Sequence, residues 1–226
     1  MPQNGAAIDA VVFDVGETIL DETWEYGAWA DWLGVPRHTF SSVFGAVIAT
    51  GGDYRDTFQR FRPGFDLHAE REKRAEAGVP EVFTADDLYP DAVGCLSELC
   101  ALGVRVGLAG NQTARNERTL RGLDLPVDFI GTSENWGVEK PDDAFFEKVV
   151  EVAGVPREQI LYVGDRLDND VRPAQRCGLA TAWIRRGPWG YIPHDTEISR
   201  RCRFVLDTLT DLPALVAKTN ANADRG

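Results

Sequence analysis

The sequence predicts an α/β protein built on a doubly wound parallel sheet, with a small all-helical segment inserted directly after the first strand. Three observations carry this expectation. The apolar run Val11-Val12-Phe13 stops abruptly on Asp14 and a glycine-containing turn, the pattern of a buried parallel strand that delivers a carboxylate to its C-terminal end. From residue 91 onward, strand-like and helix-like stretches alternate with short connectors, as parallel strands joined by crossover helices do. Between the two, residues 21–90 contain few strand-like runs.

Residues 8–13 form the first predicted strand. A helix follows over 22–33, with Trp24, Ala28, Trp29, Trp32 and Leu33 at helical spacing and a stop at Gly34-Val35-Pro36. Short helices are predicted over 39–48 and 54–61, separated by Gly51-Gly52 and closed near Pro63-Gly64. The charge run from Ala69 to Glu76 lies in a helix over 68–77 and reads as a solvated face with i,i+4 pairs. After Tyr89-Pro90 the predicted order is helix 91–102, strand 104–109, helix 114–122, strand 128–130, helix 142–153 and strand 160–163. Helix 171–177, strand 180–184, strand 203–206 and helix 209–216 complete it, and the small, polar tail 219–226 is expected to fray. This divides the chain into an α/β core of residues 1–20 and 91–226 and a helical module of residues 21–90.

A chain of 226 residues can hold one substantial core plus an insert. A hydrophobic content of 43% and a charged content of 27% describe an ordinary globular protein. The net charge of -12 repels phosphate backbones and acidic membranes, so neither nucleic acid nor membrane is an expected partner. Cys95, Cys100, Cys177 and Cys202 show no CxxC spacing, and a chain of this size does not need disulfide staples. They are expected to be thiols in a reducing cytoplasm. With no signal-peptide pattern and no membrane-length apolar stretch, the expectation is a cytoplasmic monomer or homodimer.

Three polar motifs fall at the ends of later α/β units, where a doubly wound sheet brings them to Asp14. They are Gly110-Asn111-Gln112-Thr113, then Trp136-Gly137-Val138-Glu139-Lys140-Pro141-Asp142, then Gly164-Asp165-Arg166-Leu167-Asp168-Asn169-Asp170. Each alone is explained by turn or cap chemistry; their order on successive units is the stronger signal. Lysine is also scarce, occurring only at positions 73, 140, 148 and 218, which singles out Lys140.

In this order the motifs resemble those of the haloacid dehalogenase-like hydrolase superfamily, whose core is Rossmann-like. The helical insert resembles the C1 cap of the branch that contains many small-molecule phosphatases. The resemblance implies a Mg²⁺-dependent hydrolase, foremost a phosphatase of a small phosphorylated metabolite that forms an aspartyl-phosphate on Asp14. It implies Lys140 as the fixed cation for the nucleophile and the phosphoryl oxygens, with Gly110 and Asn111 on the phosphoryl group. It implies a metal set of Asp14, the Gly16 main-chain carbonyl and Asp165, with Asp170 close behind. Asp168 and Asn169 are not carried over as catalytic.

Two positions depart from the family pattern. The second aspartate that normally transfers the leaving-group proton is replaced by Gly16, a loss worth about 10²–10⁴-fold in rate. The usual phosphate-binding Ser or Thr is replaced by Gly110, with Thr113 or Asn111 as candidate substitutes. Glu17, Glu22, Asp21 and His68 are candidates for the missing proton-transfer group, Glu17 the less favoured because its side chain should point elsewhere. The alternatives are a 2-haloacid dehalogenase-like hydrolase, whose relatives also lack the second aspartate, and a catalytically weakened ligand- or partner-binding protein. Trp24, Tyr26, Trp29 and Trp32 either line an apolar pocket over Asp14 or form the insert's own core. Arg55, Arg60 and Arg62 either meet an anionic substrate tail or lie in solvent. Residues 185–190 either flank the entrance or serve an interface.

Overall fold

A computed structural model of the chain describes residues 6–192, 195–223 and 225. Six parallel strands form one sheet in the order β3-β2-β1-β4-β5-β6. They are β1 (Ala10–Phe13), β2 (Arg105–Gly110), β3 (Phe129–Thr132), β4 (Ile160–Gly164), β5 (Ala180–Ile184) and β6 (Phe204–Leu206). The chain runs outward from β1 through β2 and β3, then returns to build β4, β5 and β6 on the other side. The order therefore reverses between β1 and β4, and in open α/β sheets ligands bind outside the strand ends at that point.

Both faces of β1 are buried, which explains its unbroken apolar run. Val11 and Phe13 pack toward α5 (Ala92–Ala101) and α12 (Leu212–Ala223), while Ala10 and Val12 pack toward α8 (Asp143–Ala153) and α9 (Arg172–Arg176). Helix α6 (Ala114–Gly122) follows β2, and the single turn α7 (Ser133–Trp136) follows β3. Among the described residues no helix is long and apolar enough to cross a membrane.

The segment after β1 holds α1 (Thr23–Leu33), α2 (Arg37–Ala49), α3 (Asp56–Phe61) and α4 (Leu67–Glu76). Helices α1 to α3 enclose an aromatic cluster in which Trp29 meets the rings of Phe58 and Phe65 edge-on at centroid distances of 5.4 and 5.8 Å. Such contacts add to the area term of aromatic burial. The aromatic residues of α1 therefore have separate tasks. Trp29 is core, Trp24 packs against Phe83, and the indole N–H of Trp32 donates to Glu70. One further ring enters the cluster from the sheet: Trp189, in α10 (Gly187–Tyr191) after β5, meets Phe44 edge-on at 5.1 Å.

The structure differs from the sequence reading at several places, among them the unpredicted turn α7 after β3. Residues 167–171 form one wide, π-type turn before α9, and that turn aims the side chains of the Asp165 motif. Two short helices, α10 and α11 (Thr196–Arg200), occupy a stretch for which no element is predicted. Helix α12 also runs to Ala223 through most of the tail expected to fray, of which residues 224 and 226 lie outside the described residues. Its last turns are fastened by Asn220, whose side chain accepts from the N–H of Ile8 and donates to the Ile8 carbonyl.

Candidate active site

Asp14 follows the last residue of β1, and its N–H donates to the Val163 carbonyl in β4, which fixes the carboxylate at the point where the strand order reverses. The three motifs predicted to join it do so. Lys140, in the loop entering α8, places its ammonium 2.7 Å from Asp14 Oδ1 and 2.6 Å from Asp170 Oδ1. All three side chains are buried, as is Asp165 just past β4.

Each group is held by its own surroundings. Lys140 is clamped through its main chain: its N–H donates to Asn111 Oδ1, and its carbonyl accepts from Asn111 Nδ2. The Lys140-Pro141 peptide is cis. Asp170 accepts from Lys140 through one oxygen and from the N–H of Arg166 through the other. That approach requires a bare glycine at 164, because a Cβ there would lie 2.5 Å from the Asp170 carboxyl carbon. Beside it, the Trp183 indole N–H donates to the Asp165 carbonyl.

The electrostatics are those of a site built for a cation. Burial would lower the Lys140 pKa, but Asp14 and Asp170 raise it above its ordinary value, so the ammonium stays charged. Burial, together with the charges of Asp170 and Asp14, pushes the Asp165 carboxyl well above the usual carboxylate range. Among the described residues Asp165 Oδ2 is buried without a hydrogen-bond partner, an arrangement that is costly unless something binds it. One oxygen from each of Asp14, Asp165 and Asp170 lies within 4.8 Å of the others. Three carboxylates against one ammonium leave an excess of negative charge, and an all-oxygen donor set suits a hard divalent cation such as Mg²⁺.

The two glycine departures acquire physical reasons. A Cβ at position 110 would lie 2.5 Å from Asp14 Oδ1, so Gly110 leaves the space that this rotamer of Asp14 occupies. The candidate substitutes for its missing hydroxyl are engaged elsewhere: Thr113 caps α6 by accepting from the Asn116 N–H, and the Asn111 side chain holds Lys140. At position 16 a Cβ would lie 2.1 Å from Oε1 of Glu22, the residue that precedes α1. Glu22 thus fills the space that a side chain at position 16 would enter. Burial, then the charges of Glu25, Glu17 and Asp14, push its carboxyl well above the usual range.

The other candidates lie apart from that space. Glu17 adopts φ 50° and accepts from the Tyr89 hydroxyl. Asp21 accepts from the Thr23 N–H, and His68 is an exposed α4 side chain 3.9 Å from Glu72. Over the site lies a cavity of about 280 Å³ whose outer wall includes Tyr26, Tyr54 and Arg55. Arg60 and Arg62 are not among its lining residues, and Arg62 pairs with Glu70. Trp189 joins the wall with Arg166, whose guanidinium lies over the indole at 4.6 Å and pairs with Asp168. Sequence reasoning did not single out the Glu22–Gly16 contact or this stack. An acidic residue just ahead of a helix, six positions after an unexpected glycine, was the available signal for the first; the second carried none.

Comparison with known proteins points the same way. The family model "Hydrolase: haloacid dehalogenase-like hydrolase" matches residues 8–178. Over 131 residues, 57% of this chain and 56% of the relative, the chain is 31% identical to a glyceraldehyde 3-phosphate phosphatase of Methanocaldococcus jannaschii. It is 31% identical over 161 residues to a phosphoserine phosphatase of Thermus thermophilus, covering 68% of this chain and 62% of that one. The matches span about half the length of the first of these relatives. Among solved structures, the HAD-hydrolase YfnB from Bacillus subtilis bound to magnesium superposes with a TM-score of 0.71 at 21% identity, covering 93% of this chain and 99% of that one. An L-2-haloacid dehalogenase from Xanthobacter autotrophicus gives 0.64 at 22% identity, covering 93% and 98%. At these identities the two structures speak to the fold alone.

Proposed function

The chain belongs to the haloacid dehalogenase-like hydrolase family, and on that footing we propose that it is a Mg²⁺-dependent phosphatase of small phosphorylated metabolites with Asp14 as nucleophile. The observation that carries this reading is the buried group of Asp14, Lys140, Asp165 and Asp170 at the reversal of strand order, with one Asp165 oxygen left unpartnered. The phosphatase names of the relatives support the substrate class. Residues 21–90 are assigned as a C1-type cap, with Tyr26, Tyr54 and Arg55 facing the substrate.

In the proposed reaction an Asp14 oxygen bonds to phosphorus as the bond to the leaving oxygen breaks. Water then cleaves the aspartyl-phosphate, restoring the carboxylate and releasing inorganic phosphate. Lys140 fixes the Asp14 rotamer and offers positive charge to the phosphoryl oxygens, while Asp170 and Asn111 hold Lys140 in place. The Asn111 main-chain N–H is assigned to a phosphoryl oxygen, and Gly110 serves by having no side chain against Asp14. Asp14, the Gly16 main-chain carbonyl and Asp165, with Asp170 behind them, would hold a Mg²⁺ ion, which would supply the charge that lets a carboxylate approach a phosphoryl anion.

The same excess of negative charge argues against carbon–halogen hydrolysis, which needs no divalent ion to bring its monoanionic substrate to the nucleophile. The test is phosphate release from para-nitrophenyl phosphate and a panel of phosphorylated metabolites. Activity is expected with Mg²⁺, and EDTA should lower it by at least about 10²-fold, reversibly on Mg²⁺ addition. Chloride release from 2-chloropropionate without Mg²⁺-dependent phosphate release would replace this reading with dehalogenation.

A further inference from the structure

We propose that Glu22 is the proton-transfer group of this site, its carboxylate reaching from the start of α1 into the space that Gly16 leaves open. The inference rests on the phosphatase reading and names the residue that reading lacks. Its basis is a matched pair. Position 16 lies two residues after the nucleophile, and the three atoms nearest a Cβ built there all belong to the Glu22 carboxyl: Oε1 at 2.1 Å, Cδ at 2.7 Å and Oε2 at 3.2 Å. A side chain at position 16 would require the Glu22 carboxyl to leave this place. A side chain at position 16 and the Glu22 carboxyl are therefore alternative occupants of one small volume beside the cavity that Asp14 also lines.

A structural role does not account for Glu22. It precedes α1, but its side chain makes no capping hydrogen bond to that helix. Among the described residues no ion pair or side-chain hydrogen bond engages its carboxylate, whereas Asp21 caps the Thr23 N–H and Glu17 takes the Tyr89 hydroxyl. Glu22 lines the same cavity as Asp14, Lys140 and Asp165. A carboxyl that approaches this closely and is spent on no protein partner is available to the substrate.

The chemistry balances with this one group. As the Asp14 oxygen bonds to phosphorus, the electron pair of the breaking phosphorus–oxygen bond stays on the leaving oxygen, which takes the Glu22 proton. Glu22, now a carboxylate, then takes a proton from the attacking water. The water oxygen bonds to phosphorus, the bond to Asp14 breaks with its electron pair returning to the carboxylate, and Glu22 is protonated again.

The experiment is rapid-mixing kinetics with enzyme in excess over substrate, comparing para-nitrophenyl phosphate, whose leaving group needs little protonation, with phenyl phosphate, whose leaving group needs more. Glu22→Gln preserves shape and removes only the transferable proton. It is expected to slow phenol release by about 10²–10⁴-fold and para-nitrophenol release by less than about 10-fold. In the Gly16→Asp/Glu22→Ala double variant, with the volume vacated, phenol release should rise at least about 10-fold above that of Glu22→Ala alone. Equal losses on both substrates, or no loss on either, would overturn the assignment, and a folded double variant no faster than Glu22→Ala would count against it. The Asp14→Asn variant separates the two claims: if it still releases either phenol, the nucleophile reading fails whatever Glu22 does.

Discussion

Asp14→Asn is expected to abolish phosphate release, by about 10⁴-fold or more, without lowering the melting temperature. The two halves of this outcome have different causes. The amide keeps the shape of the carboxylate and can still accept from Lys140, which sits 2.7 Å away, but it is too weak a nucleophile to displace an alcohol from phosphorus. Stability is spared because the site holds Asp14, Asp165 and Asp170 together in a buried space, and removing one charge relieves repulsion among the rest. Phosphate assays and thermal melts on the same preparation check the pair of effects. An active Asp14→Asn enzyme would end the nucleophile assignment; an unfolded one would show that the carboxylate is chiefly structural.

Lys140→Met is the complementary case and should lose both properties. Methionine fills much of the stem's volume but leaves Asp14 and Asp170 without the ammonium that both contact. Breaking a buried pair by removing one partner costs about 3–5 kcal/mol. For a chain of this length that corresponds to a fall of roughly 6–20 °C in melting temperature. Activity should drop by on the order of 10³-fold or more, because the fixed charge facing the phosphoryl group is lost. Mg²⁺ should raise the melting temperature of this variant by more than it raises that of the wild type, since a divalent ion binding only the folded chain offsets part of the missing charge. Equal Mg²⁺ shifts in the two proteins would place the ion away from Lys140.

Much of the core was legible in the sequence because its signals are local. Val11-Val12-Phe13 is apolar on both faces of the strand, and the Asp14 that follows has one place to go in a parallel sheet. The end of α6 at Gly122 and the stop of α1 at Gly34, in the left-handed conformation at φ 69°, were readable for the same reason. Elements shorter than a stable nucleus were not. Helices α10 and α11, of five residues each, are too short to form on their own local signals, a proline at the start of α10 and the Asp195 cap on α11, and depend on the burial of Trp189 and Ile198 against other parts of the chain. The extent of α12 depends on Asn220 reaching Ile8, a contact across 212 positions. The site followed the same division. Lys140 and Asp165 sit in motifs, but the geometry of Gly16 against Glu22 arises only once the turn after β1 has closed.

Trp189 belongs to the sheet by chain connection and to the helical module by packing, with its ring between Phe44, Tyr54 and Arg166. Swinging the helices off the sheet would draw that ring into water, at about 3 kcal/mol for a large side chain. The Ile192 side chain beside Gly45 and the Trp24–Phe83 contact would be exposed with it, so the closed arrangement rests on more than the indole. Under the phosphatase reading, a parting of this kind would gate substrate entry and phosphate departure. The pace of the proposed cycle would then rest in part on residues that take no part in bond making.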